Sequence, residues 1–134
     1  MDWLYLIGRV LFAMVFIGSG LGHFAQANAM AQYAESKGVA AAKPMVLLSG
    51  LMILLGGFSI LLGLYMEIGA WLLVSFLLPT SFLMHNFWQD MGPTQKQIEG
   101  AMFMKNVALA GAALIVYWVV QTHGYGPFVM GSPM

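Results

Sequence analysis

Four runs of about 20 mostly apolar residues leave this chain few ways to fold. They cover residues 3–24, 45–64, 68–88 and 100–121, most of the 134 residues. At about 1.5 Å of rise per residue, each run crosses a hydrocarbon core of about 30 Å as a helix. The composition agrees. Only 7% of the residues are charged, against about a quarter in soluble domains, too few to cover a water-facing surface. The expectation is an all-α integral membrane protein in contact with the lipid bilayer. Its single domain, 1–134, would be a four-transmembrane-helix bundle with a short interfacial segment between the first and second spans.

No cation precedes the first run, and Arg9 lies within it, so it reads as a membrane helix despite the small-residue Ala25-Gln26-Ala27 that resembles a leader-cleavage site. Arg9, Phe12, Phe16, Ser19 and His23 recur at helical spacing. A cation is costly in lipid, so this stripe is expected to face the protein interior. Gly18 and Gly22 form a small-residue pair suited to close helix contact, and Ser49, Gly56 and Gly63 form a second seam. Residues 26–43 are polar, with a short amphipathic helix around 29–36. Tyr65-Met66-Glu67 joins the second and third runs as a tight turn. Pro79 removes a donor inside the third run, freeing the Ser75 carbonyl and predicting a kink. Beyond it Leu78, Ser81, His85 and Trp88 share a face. Residues 90–99 read as a loop with Gly92-Pro93 as its turn signal.

Four spans put both termini on one side. Lys37, Lys43, Lys96 and Lys105 gather on the other, so the positive-inside rule places loops 26–43 and 90–99 in the cytoplasm and both termini outside. A net charge of zero argues against nucleic acid, which calls for a basic patch. The absence of cysteine excludes disulfides and thiol chemistry in this chain.

The same topology brings distant polar residues together on the loop side. His23 ends the first span, His85 and Asn86 end the third, and Lys105 and Asn106 begin the fourth. As a ligand site they suit a quinone: donors for its carbonyls, Trp88, Phe87 and Phe24 as flat walls, and lipid access for its tail. The competing reading has them cap helices and anchor the protein at the interface. A haem held by His23 and His85 is a less favoured alternative. So is a metal bound by His23 and His85 with Glu99 or Asp90, because no His-x-x-x-His or Glu-x-x-His pair pre-arranges ligands, and no metal is assigned. At the opposite end, Arg9 and Glu67 are expected to form a structural ion pair.

Several stretches together resemble the DoxX family of small four-helix membrane proteins. They are Gly8-Arg9-Val10-Leu11-Phe12, Phe16-Ile17-Gly18-Ser19-Gly20, the Gly-rich second run, His85-Asn86-Phe87-Trp88, and Phe103-Met104-Lys105-Asn106-Val107-Ala108-Leu109. The resemblance covers essentially the whole chain. It implies a protein of bacterial type, in the inner (cytoplasmic) membrane, linked to membrane oxidoreductase systems and in some relatives to quinone reduction. It carries over no mechanism; Arg9, His85, Trp88, Lys105 and Asn106 are the positions that match its motifs. The resulting expectation is a small membrane subunit of an oxidoreductase complex that binds a quinone-like molecule, beside other redox subunits that supply electrons. The alternative is a non-catalytic accessory subunit stabilising a larger assembly, with its small-residue seams and charge-free tail 123–134 as interfaces.

Overall fold

The computed structural model describes residues 1–131, and every regular element among them is a helix. In order these are α1 (Asp2–Ala25), α2 (Ala27–Ser36), α3 (Ala42–Leu62), α4 (Met66–Met84) and α5 (Pro93–His123). All but α2 are long and apolar enough to cross a membrane. The short α2 lies between the first two of these spans, where a short segment was expected. Leu11, Met14, Leu55, Ile115 and Trp118 stay exposed on the outer faces, as apolar side chains do where the surrounding solvent is lipid.

Two helix ends differ from the sequence expectation, and both matter for the site. Residue 92 is the N-cap of α5 and Pro93 is its first residue. Proline fits there because the first helical N–H has no intrahelical partner to lose. The Gly-Pro signal therefore opens the helix instead of lying within a loop, and Glu99 stands on α5. The other difference is α4, which runs through Pro79 but stops at Met84. Residues 85–89 then form turns, with Phe87 N–H donating to His85 O and Gln89 N–H to Asn86 O, each at 3.0 Å. Trp88 is therefore not one turn beyond His85 on a shared helix face.

The helices pack in the succession α1 on α3, α3 on α4, and α4 on α5. Close approach is bought by particular glycines. A methyl at Gly20 would meet Leu54 and the Gly50 carbonyl, one at Gly57 would meet Phe16 and Ile17, and one at Gly56 would meet Leu73. By contrast, Gly18 and Gly22 face open space. The small-residue contact of α1 lies on a different side from the pair singled out in the sequence. The α3–α4 turn uses Gly63 in the left-handed region, φ 70°, which glycine adopts without the Cβ penalty.

The terminal end of the bundle is closed by the chain's own tail. Buried Arg9 donates to Ile60 O (3.0 Å), Leu61 O (2.7 Å) and Pro127 O (3.0 Å). Two of these carbonyls belong to the last turn of α3, where unpaired acceptors and the negative end of the helix dipole favour a cation. Tyr125 Oη donates to Glu67 Oε2 at 2.6 Å and accepts from Met66 N–H at 2.9 Å. Burial, and then the hydrogen bond to the Glu67 carboxylate, push the Tyr125 hydroxyl up to about 12. Tyr5 Oη donates to Tyr125 O at 2.6 Å, and Met130 and Gly131 N–H donate to Leu62 O and Gly63 O. Of the residues expected as a pair, Arg9 binds tail and α3 carbonyls and Glu67 accepts from the Tyr125 hydroxyl. The tail bonds to both residues, which the helix register alone did not reveal.

Candidate functional site

At the loop-side end lies a half-open cavity of about 500 Å³ lined by residues of all five helices. His23 reaches it from α1, Tyr33 from α2, Phe76 from α4, and Lys105 and Asn106 from α5, with His85 just past the end of α4. Much of the remaining lining is methionine and other apolar side chains, an adaptable wall for an apolar body.

His23 is held from three sides. Its Nδ1 lies 2.7 Å from Ser19 O, its ring meets Phe76 edge-on at 5.7 Å, and its Cβ lies against the bare backbone of Gly50. The residue is 6% exposed. Asn106 is 7% exposed, and its amide has no hydrogen-bond partner among the described residues. No buried side-chain nitrogen or oxygen is sealed in without a partner, so this amide opens onto the cavity that it lines. Lys105 is exposed at the same rim.

Glu99 organises the mouth. It is 3% exposed. Its Oε1 accepts from Tyr33 Oη (2.6 Å) and Gln95 Nε2 (2.9 Å), and its Oε2 faces His85 Nδ1 at 2.8 Å. This His85–Glu99 contact is a salt bridge when the imidazole is protonated. The Tyr33 ring is partly exposed, yet its hydroxyl is bound to a carboxylate. Burial, then that hydrogen bond and the carboxylate charge, raise it to about 12. A second tie joins Lys37 Nζ to Asn86 Oδ1 at 2.9 Å. With Ala31 and Ala34 packed on Ala42 and Val46, α2 is fastened over the loop-side end, and the Tyr33 and Lys37 hydrogen bonds tie its last turn to Glu99 and Asn86.

The structure gathers four of the residues singled out in the sequence, His23, His85, Lys105 and Asn106, onto one cavity. Asn86 adjoins it, occupied by Lys37. Trp88 does not line it. Because α4 ends early, Trp88 packs instead among Phe82, Phe87 and Phe103, with ring centroids 5.4–6.0 Å away. The cavity's aromatic walls are Phe76 and Tyr33. The alternative metal set is not assembled: no three His, Asp or Glu side chains gather among the described residues, and His85 Nδ1 is already turned to Glu99.

Sequence reasoning weighed Glu99 only as a metal ligand and passed over Tyr33. An acid at the threshold of an apolar helix, facing a histidine across a short loop, was the available signal for Glu99. Tyr33 carried none beyond its place on the amphipathic segment.

A family model described as DoxX matches residues 4–86, which take in α1 to α4 and His85 but not α5. No curated protein and no solved structure matches the chain.

Proposed function

The chain belongs to the DoxX family and is a small integral membrane protein, and from this premise we propose that it binds a quinone-like amphipathic molecule in the loop-side cavity, as the membrane subunit of an oxidoreductase complex. The observation that carries this reading is Asn106, more than nine-tenths buried, with an unpartnered amide opening onto a cavity of about 500 Å³. The amide keeps access to the cavity, so a bound polar head could hydrogen-bond to it in surroundings that exclude most water. Lys105 and Asn106 supply donors, Phe76 and Tyr33 supply flat walls, and the methionine-rich lining suits an isoprenoid or alkyl tail. The chain has no cysteine, so any thiol chemistry and any redox centre exchanging electrons with the bound molecule would lie in a partner subunit. On this reading the Lys-rich cavity end faces the cytoplasm.

The test is binding of a decyl-substituted quinone to purified protein in detergent. Lys105→Ala and Asn106→Leu should each weaken binding by about tenfold, the loss of one hydrogen bond to the ligand, with the unfolding temperature retained. Wild-type affinity in both variants would sink the reading.

A further inference from the structure

We infer that the cavity is matched to a hydroxyl-bearing, reduced ligand, a hydroquinone rather than a quinone. This rests on the proposed function and adds which redox form the site selects. The deciding group is His23. Its Nδ1 lies 2.7 Å from Ser19 O. A carbonyl oxygen only accepts, so Nδ1 carries the hydrogen. In the neutral imidazole the lone pair then sits on Nε2, which can only accept. Gly50 beneath Cβ and Phe76 against the ring hold that orientation. Nε2 has no partner among the described residues, yet no buried side-chain nitrogen is sealed off without one. In a residue only 6% exposed that lines the cavity, Nε2 therefore opens into it.

The other polar groups do not impose the same choice. Asn106 both donates and accepts, and Lys105 only donates. His85 Nδ1 is already turned to the Glu99 carboxylate. A quinone carbonyl can accept from Asn106 or Lys105 but leaves the His23 lone pair unmatched in an apolar chamber. A hydroquinone hydroxyl donates to His23 and still accepts from the amide or the ammonium. Sites that present a fixed acceptor discriminate strongly against ligands unable to donate, because the buried group is otherwise left unpaired.

The experiment needs no mutation to begin. The full chain in detergent is titrated with a decyl-substituted benzoquinone, the matching hydroquinone under anaerobic conditions, and the dimethyl ether of that hydroquinone, which keeps its shape without the donor hydrogens. The expected result is that the hydroquinone binds at least about tenfold tighter than the other two. In His23→Gln, whose amide donates as well as accepts, quinone and hydroquinone should bind within about twofold. Quinone binding as tight as hydroquinone binding to the wild type overturns the inference and leaves the proposed function standing. Binding of none of the three overturns both. A hydroquinone preference undiminished in folded His23→Gln overturns the assignment to His23. If that variant does not fold, the wild-type series decides alone.

Discussion

Tyr33 Oη lies 2.6 Å from Glu99 Oε1, so the short helix α2 is bound to a residue 66 positions further along the chain. The same carboxylate holds His85 and Gln95. One buried acid therefore fastens three segments around the cavity mouth. Glu99→Ala should destabilise the protein by about 3 kcal/mol, since removing one partner strands several donors. Tyr33→Phe should cost about 1 kcal/mol. Both should raise amide hydrogen exchange across residues 27–36, while exchange in α3 stays unchanged.

The two carboxylate-bound tyrosines give a pH signature. Tyr33 and Tyr125 ionise at about 12 in the fold, against an ordinary value of 10.0. A raised pKa means that folding favours the neutral hydroxyl. Their stabilisation is fully present below about pH 10 and is lost as pH rises through about 12. Titration of tyrosinate absorbance should show late steps that disappear singly in Tyr33→Phe and Tyr125→Phe.

Arg9 tests the opposite end. Its planar fork reaches three carbonyls on two segments, a geometry that a lysine ammonium cannot reproduce. Arg9→Lys should cost about 1–2 kcal/mol, and Arg9→Met about 3 kcal/mol or more. Thermal unfolding in detergent measures both.

The tail should matter to the isolated chain. Tyr125, Pro127, Met130 and Gly131 all bond to the bundle. Deleting residues 125–134 should therefore lower the unfolding temperature of the purified protein with no partner present. An unchanged temperature would return the tail to the role of an interface. Gly63→Ala, forced into Val129 at a left-handed position, should act in the same direction at about 1–3 kcal/mol.

Two glycines on α1 and α3 separate packing from composition. At Gly50 an added Cβ would lie 2.6 Å from His23 Cβ. Gly50→Ala should cost about 1–3 kcal/mol by overpacking and displace His23, weakening binding in the cavity. Gly18→Ala meets nothing within 4 Å and should be neutral or slightly stabilising, as glycine is the poorer helix former. Thermal unfolding alongside quinone titration distinguishes the two.

The four crossing helices, the short α2 and the burial of Arg9 are legible in the chain because their causes are local. Run length against bilayer thickness, charge scarcity and the cost of a cation in lipid all act on residues near one another in sequence. His23, His85, Lys105 and Asn106 were also legible as neighbours, since alternating helix direction puts their ends at one level. What only the tertiary structure decided is which groups touch. Whether Gly18 or Gly20 meets a neighbour depends on the rotation of α1 against α3, and Trp88 left the cavity because α4 stops at Met84. Arg9 meets a tail carbonyl and Glu67 a tail tyrosine because the tail folds back onto the bundle. Hydrophobicity specifies that a helix lies in the membrane but is indifferent to its rotation, whereas hydrogen bonds and close backbone contacts are directional and are settled only when the helices pack.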